Sequence, residues 1–568
     1  MLSKPRSLIA VARGKLPADL ILANARIVNT LTGQVETGNV AIYKDTIAGV
    51  GDYREASEVI DLSGRYLAPG LINGHTHLES SMLDIGQYAR AVVPQGTLAV
   101  VTDLHEIANV AGLDGMRYVL NFARRLPLSI FLMAPSCVPA SRFETSGATL
   151  NARDLDQVMA WPDCIGLGEV MNYPAVISGD AGVIAKINLA AGRTVDGHAP
   201  GLSGSDLNAY LAAGIMSDHE SITLAEASEK LARGMHIMIR EGSTEKNLAT
   251  LLPLVNDRTY RRCMFVVDDR SCADLFRDGD IAAVVRKAIK LGLDPVRAIQ
   301  MATINPAGYF RLAGLGAIGP GYLADMVVFD DLSRLDAGMV FHRGKLVSRQ
   351  GEWLPPPQKP HGRGLTNTVN VRPFTADELR MPVREEFPVI EVVPGQIVTR
   401  KKVLKVKSGD GLVLADTRRD ILKLVVVERH RATGNIGLGL VKGFGLKRGA
   451  LASSIAHDSH NIIAVGVNDA DIYAAVRAVE KTRGGLAAAA GGKVLASLAL
   501  PVAGLLSEEP LASVVAQYEK LEATARELGG TLPSAFAALS FLALPVIPEL
   551  RLTDLGLVDV IQFKLITK

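Results

Sequence analysis

Short apolar runs rich in Ile and Val, separated by Gly and polar turns, fill residues 18 to 65 ("DLILANARIVNT", "GNVAIYKDTIAGVG", "EVIDLSGRYLAPG") and predict a small β-region. Between Tyr66 and Asp269 the texture changes. Apolar strand-like runs alternate with helix-like segments, the pattern of parallel βαβ units. The runs are "YLAPGLINGHTH", "TLAVVTDLHE", "SIFLMAPSC", "DCIGLGEV", "RTVDGH", "GIMSDHE", "MHIMIREGS" and "CMFVVDDR". Eight is the number that closes a (β/α)8 barrel, whose strand C-termini carry the active site. Almost every run ends in a residue able to bind metal or move a proton. A doubly wound open sheet would not bring eight polar strand ends together.

After the barrel, the helix-like "DPVRAIQMATINPAGYFRL" leads into "GLGAIGPGYLADMVVFDD" and "VFHRGKLVS", which return to the short-strand texture. The simplest α/β topology is a TIM-type (β/α)8 barrel over 67–315, inserted into a small β-sandwich domain made of 1–66 and 316–353. Residues 354–375, with Pro355-Pro356-Pro357 and Pro360, have the composition of a linker. A third, α+β unit covers 376–568, with strands in "VPGQIVTRKKVLKV", "DILKLVVVERH" and "HNIIAVGV" and helices near 470–481 and 511–529.

Composition narrows the function. A chain of 568 residues is too long for one core, and 48% hydrophobic with 21% charged residues describes a folded rather than a disordered protein. A formal net charge of +2 and only 5% aromatics argue against a nucleic-acid or anionic-membrane partner. Cys137, Cys164, Cys263 and Cys272 stand singly, so neither a zinc ribbon nor a disulfide scaffold is expected. The apolar stretch Ser7 to Ala12, flanked by basic residues, is too brief for a signal peptide. Leu486 to Leu506 is interrupted by Gly491, Gly492, Lys493 and Pro501, which argues against a membrane span. The expected compartment is the cytoplasm.

The chemistry-bearing residues lie at the strand ends. His75 and His77 are two apart, so both imidazoles point the same way and can reach one ion. Taken alone the pair also suits ordinary surface or cap histidines. His198 and His219 end the fifth and sixth runs, and Glu169 ends the fourth, where a carboxylate could bridge two cations. An Asp at the end of the eighth run could accept a proton from water and return it to a leaving group. Alternation turns Asp268 and Asp269 to opposite faces, and parity does not say which looks inward. Asp103 and His105 could be additional ligands, a proton relay, or a structural hydrogen bond. Glu79, Ser80, Glu241 and Ser243 sit at other strand ends as candidates for contacting the substrate.

"PGLINGHTHLESSM", "VVTDLHEIANVAG", "GLGEVMNYPAVISGD", "DGHAPGLSGSDLNAYLAAGI", "MIREGS" and "VVDDR" resemble the adenine deaminases of the amidohydrolase superfamily. So do "GFGLKRGALASSIAHDSHNIIAVG", "LPVAGLLS" and "LALPVIPELRLTDLGLVD" in the third unit, so the resemblance runs over nearly the whole chain. It implies hydrolytic deamination of adenine to hypoxanthine and ammonia by a metal-bound hydroxide at a binuclear centre. Two divalent ions are implied, Mn(II) or Fe(II) ahead of Zn(II). His75 and His77 would bind one metal and His198 and His219 the second. Glu169 would bridge the two. Asp268 would be ligand and general base, and the Asp103–His105 pair would assist proton transfer. Asn73 and Leu104 depart from the family pattern, which commonly has Asp and Pro there, without removing a ligand.

The metal constellation also serves cyclic-amide opening and deacylation, which are the alternative reactions; a non-catalytic binding relative is the third reading. "HDSHN" of the third unit (His457, Asp458, His460, Asn461) could bind another ion or cover the mouth as a structural lid, and the complete ligand count in the barrel argues for the lid. The Ala- and Gly-rich third unit suggests tight packing between subunits, and the expected state is a dimer or tetramer.

Overall fold

The computed structural model describes residues 4–356 and 365–566; Pro357 and Pro360 of the expected linker lie outside them. Eight parallel strands form a TIM-type barrel: Leu71–Asn73, Thr97–Thr102, Ser129–Pro135, Cys164–Val170, Thr194–Gly197, Ser217–Asp218, His236–Arg240 and Cys263–Val266. Each falls inside one of the eight apolar runs. Every residue of Thr97–Thr102 and Cys263–Val266 is buried, as expected of strands covered on both faces. Strands one to five pair in parallel as one arc and strands six to eight as another. Met216 N–H donates to the Val195 carbonyl at 3.2 Å between the arcs. On the other side Asp268–Asp269 pairs in parallel with Thr76–His77, so the segments carrying the candidate ligands also close the ring.

The barrel interior is filled by Ile72, Ala99, Val101, Met133, Met238, Met264 and Val266, plugged from below by Ala307, Phe310, Leu312 and Leu315. Connecting helices such as His105–Ala123, Ala152–Met159 and Ile281–Lys290 enclose it. Their starts follow local chemistry: Asn151 and Asp154 form a reciprocal capping box, and the Thr223 hydroxyl accepts from Glu226 N–H.

The early and late strands share one nine-stranded sheet. Met326–Phe329 pairs antiparallel with Tyr66–Pro69, whose other neighbour is Ala18–Asn29. Alternate residues (Leu20, Leu22, Val40, Ile42, Leu67, Met326, Val328, Phe341) build an apolar face from both parts of the chain. On the opposite side the helix Lys4–Ala12 packs Val11 against Ile21, Ala41 and Ala48.

The third unit centres on an eight-stranded sheet. Its helix Asp469–Lys481 lays Ile472, Ala475, Val476 and Val479 on Val425, Ala450, Ala452, Ala464 and Ala487. The alanines allow this close approach, which accounts for the Ala-rich composition within one chain. The apolar stretch Leu486 to Leu506 is largely the hairpin Gly485–Ala490 and Lys493–Ala499. Gly491 and Gly492 turn it with φ of 61° and 72°, a pair of left-handed residues suited to a two-residue hairpin. Among the described residues, no helix is long and apolar enough to cross a membrane.

The third unit is docked on the barrel mouth. Asn461 Nδ2 donates to the Thr145 carbonyl at 2.8 Å, and Thr145 N–H donates to Asp554 Oδ1 at 2.9 Å. Met82 and Ser507 pair backbone on the other flank. Residues 365–379 also belong to this packing, with Phe374 and Leu379 buried beside Val425 and Val427.

Candidate metal centre and its cover

The strand ends deliver His75, His77, Glu169, His198, His219 and Asp268 into one buried cluster, none more than 5% exposed. Asp268 Oδ1 lies 3.3 Å from His75 Nε2 and 3.0 Å from His77 Nε2. Glu169 Oε1 faces His77 Nε2 at 3.5 Å, while Oε2 faces His198 Nδ1 at 2.9 Å and His219 Nε2 at 3.0 Å. The two oxygens of one carboxylate thus look toward different histidine groups. His198 is placed by its backbone N–H, which the Tyr210 hydroxyl oxygen accepts at 3.0 Å. Gly197 before it leaves no room for a side chain, since a Cβ would stand 2.2 Å from the Ser217 carbonyl oxygen.

The donor set fits two divalent cations. Donor atoms of His75, His77 and Glu169 lie within 4.8 Å of one another, as do those of Glu169, His198 and His219, so Glu169 is common to both groups. A third such group, His75, His219 and Asp268, links them. His75 Nε2 and His198 Nε2 are buried without a hydrogen-bond partner; the 3.3 Å approach of His75 to Asp268 is not aligned for a hydrogen bond. His198 Nδ1 and His219 Nε2 face each other at 3.3 Å, an arrangement a shared cation relieves. Mixed imidazole and carboxylate donors suit Mn, Fe or Zn rather than a thiolate-bound metal.

Burial penalises every charge here. Against it, His219 and His198 hold the Glu169 carboxyl well below its usual range, and Arg240, then His75 and His77, do the same for Asp268. Against the same penalty, Asp103 and Asp268 hold His77 well above its usual range, Asp103 and Asp458 hold His105 there, and Glu169 lifts His219 to about 9. Cations taken up at His77 and His219 would therefore compete with protons.

Asp103 accepts from His105 Nδ1 at 2.9 Å and from the Glu169 backbone N–H at 3.1 Å, so the pair touches the centre directly. Leu104 between them is fully buried with φ of 52°, a left-handed conformation that turns both neighbours inward. Asn73 sits beneath: its Nδ2 donates to Asp280 at 3.0 Å and its Oδ1 accepts from the backbone of His75 and Val267.

One residue breaks the strand alternation, and one buried pairing goes beyond the predicted set. Asp268 has φ of 60°, which breaks the alternation, so Asp269 lines the same mouth instead of facing away. Arg240 is fully buried and ion-pairs with both Glu220 and Asp268, the latter at 2.7 Å. The signal for that pairing is an arginine at the end of the largely apolar strand "HIMIR", since a buried guanidinium needs acceptors for its N–H groups, and nearby carboxylates supply them here.

Of the four candidate substrate residues, Ser80 donates to Asp269 beside the mouth. Ser243 lines the adjoining seam and donates to Asp274. Glu79 lies behind them, where burial and then Glu106 push its carboxyl up to about 7. Glu241 is turned away, paired with Lys287 and accepting from Leu248 N–H.

The third unit closes the mouth with Ile397, Phe541, Leu544 and Ile547 and contributes His457 and Asp458 to the lining, around a cavity of about 30 Å³. His457 Nδ1 reaches Glu106 Oε1 at 2.8 Å, and Asp458 Oδ1 lies 3.6 Å from His105 Nε2. Arg551 sets this cover: fully buried, it donates to the carbonyls of Ile547, Phe541 and Ile397 at 2.8, 2.9 and 2.6 Å. A cavity of about 50 Å³ shares Asp269, His457 and Phe541 with the first. A larger one, about 250 Å³, continues along the seam past Ser243 and Thr244.

A barrel whose strand ends gather four histidines and two carboxylates under a cover is the architecture of a metal-dependent hydrolase. Residues 66–372 match the model of the amidohydrolase family, and residues 396–564 match that of the adenine deaminase C-terminal domain. An adenine deaminase from Dehalococcoides mccartyi (strain CBDB1) is 61% identical over 560 residues, covering 98% of each chain. Adenine deaminase 2 from Carboxydothermus hydrogenoformans is 48% identical over 99% of each. The chain therefore belongs to the amidohydrolase superfamily and, within it, to the adenine deaminase family. Among solved structures, a β-aspartyl dipeptidase from Fervidobacterium islandicum AW-1 superposes with a TM-score of 0.46 at 17% identity, over 60% of this chain and 98% of its own.

Proposed function

We propose that this protein hydrolyses adenine to hypoxanthine and ammonia at a binuclear centre held by His75, His77, Glu169, His198, His219 and Asp268. The observation that carries the reading is Glu169, whose two oxygens face different histidine groups, in a chain alike over its full length to adenine deaminases. Bound divalent ions, Mn(II) or Fe(II) on this reading, would lower the pKa of water from ~16 to roughly 7 and so supply a nucleophile at neutral pH.

The protein's own groups move the protons. As the water oxygen bonds to C6, the C6=N1 π pair moves to N1, which takes one of the two water protons; Asp268 takes the other and gives it to N6 as the C6–N6 bond breaks, leaving the C6 carbonyl and ammonia. Arg240 holds Asp268 in place and keeps its carboxyl ionised until then. His105, fixed by Asp103, stands at the edge of the same cavity to pass a proton to or from the substrate. The apolar cover excludes bulk water, which strengthens each of these interactions.

The organisation we propose is a small sandwich-type domain (1–66, 316–353) that also takes in the strand Tyr66–Pro69, a barrel (67–315 without that strand), a connecting segment (354–375) whose end packs with the third domain, and a third domain (376–568). It would act in the cytoplasm as a dimer or tetramer; all four cysteines are free and buried, in keeping with a reducing compartment. The test is ammonia release from adenine by purified protein, with and without added Mn(II). Release is expected. No release, alongside turnover of a cyclic amide, would overturn the assignment to adenine.

A further inference from the structure

Beyond the proposed ligands, the covered mouth divides into an apolar wall and a polar edge. Met171 from the barrel and Ile397, Phe541, Leu544 and Ile547 from the third unit form the wall. Glu106, Asp269, His457 and Asp458 form the edge. Glu106 lies in the first turn of the helix that follows the second barrel strand and is 1% exposed.

Its two oxygens are not equivalent. Oε1 lies 2.8 Å from His457 Nδ1 and 3.5 Å from the Ser80 hydroxyl, but Oε2 has no hydrogen-bond partner. The nearest ring nitrogen, His460 Nε2, is 3.7 Å away and equally unpartnered. His457 is itself fixed in plane, stacked on Phe541 with centroids 4.3 Å apart and 11° between the rings. A buried carboxylate oxygen without a donor is costly, and a ligand that relieves it brings a hydrogen-bond donor, such as a ring N–H. Adenine has such a group: one N–H on its imidazole ring, on the side away from C6. Substitution at N9, as in a nucleoside, removes it and adds bulk against the cover.

We infer that Glu106, oriented by His457 of the third unit, accepts the ring N–H of the purine and thereby selects the free base over N9-substituted purines. The inference rests on the adenine reading and adds a role for the third unit, which supplies a positioning residue for substrate recognition as well as a lid. A site built to hydrogen-bond an N–H rejects analogues lacking it far more strongly than an apolar pocket does, because its buried acceptor is then left unpaired.

The experiment measures kcat and KM for adenine and 9-methyladenine, with calorimetric affinity for both, in metal-loaded wild type, Glu106→Leu and Glu106→Gln. Metal content and melting temperature are recorded for each. Wild type is expected to prefer adenine by about 10³-fold or more, and Glu106→Leu to raise KM for adenine by about 10–100-fold with a smaller change in kcat, narrowing the preference correspondingly. Should Glu106→Leu not fold, Glu106→Gln, which keeps the volume, carries the comparison through a smaller shift in the same direction. An unchanged KM, or equal losses for both bases, would overturn the inference. So would a third metal equivalent per chain that disappears in Glu106→Leu, since Glu106, Asp269 and His457 would then be a cation site. Absence of ammonia release by wild type would instead count against deamination, while the affinity ratio would still decide the role of Glu106.

Discussion

Replacing Glu169 with Gln isolates the feature on which the centre depends. Gln keeps the volume and one oxygen, so the packing around Ser136 and Asp103 survives; Ser136 Oγ still donates to the residue 169 carbonyl at 2.5 Å and the backbone N–H still reaches Asp103 at 3.1 Å. What goes is one negative charge and one acceptor face. The remaining oxygen can serve His77's side or that of His198 and His219, and the amide presents N–H donors to the other, where a cation and two imidazoles require an acceptor. Metal content should fall from about two ions per chain toward one, and the rate by about 10³- to 10⁴-fold, which at 1.36 kcal/mol per tenfold is about 4–5 kcal/mol of transition-state stabilisation. Elemental analysis beside a coupled ammonia assay reads both quantities on one preparation, and a melting curve confirms folding. A variant with wild-type metal content and a rate within about tenfold of wild type would refute the sharing of Glu169.

Three further outcomes follow from the same geometry. Gly197→Ala should lose about 1–3 kcal/mol in chemical denaturation and weaken metal uptake, because its Cβ would lie 2.2 Å from the Ser217 carbonyl oxygen beside His198; a neutral result would show that the strand can shift freely. Arg551→Met should cost about 3–5 kcal/mol, seen as a lowered melting temperature, by leaving the carbonyls of Ile397, Phe541 and Ile547 buried and unpaired. In metal-free protein the His219 pKa, raised from 6.5 to about 9 against burial by Glu169, contributes stability that is complete below pH 6.5 and lost as pH rises through 9. Metal-free protein should therefore melt at a lower temperature at pH 9 than at pH 6.5, metal binding should release protons across that window, and a melting temperature independent of pH would contradict this.

Much of the barrel was legible because its strands are buried on both faces and appear as unbroken apolar runs ending in His, Asp or Glu. That the late strands join the early ones in one small domain was legible too, from matching short-strand texture, although Tyr66–Pro69, which reads as part of the first barrel run, pairs with Met326–Phe329 in the small sheet. Other features depend on backbone detail that residue type does not encode. The left-handed φ at Asp268 overrides alternation and brings Asp269 to the mouth. Phe387–Val392 pairs with Ile436–Lys442, and Ala450–Ser453 with Gly485–Ala490, across sequence separations that local pattern does not register. "HDSHN" gave no sign that His457 would meet Glu106, because that contact exists only once the third unit docks on the barrel.

The central claim, that adenine is deaminated at a two-metal centre, is tested most directly by titrating metal-free protein with Mn(II) and following ammonia release from adenine against measured metal content. Activity should be negligible without metal and rise to a plateau at about two ions per chain. Full activity without metal, or a plateau at one ion with Glu169→Gln equally active, would contradict it.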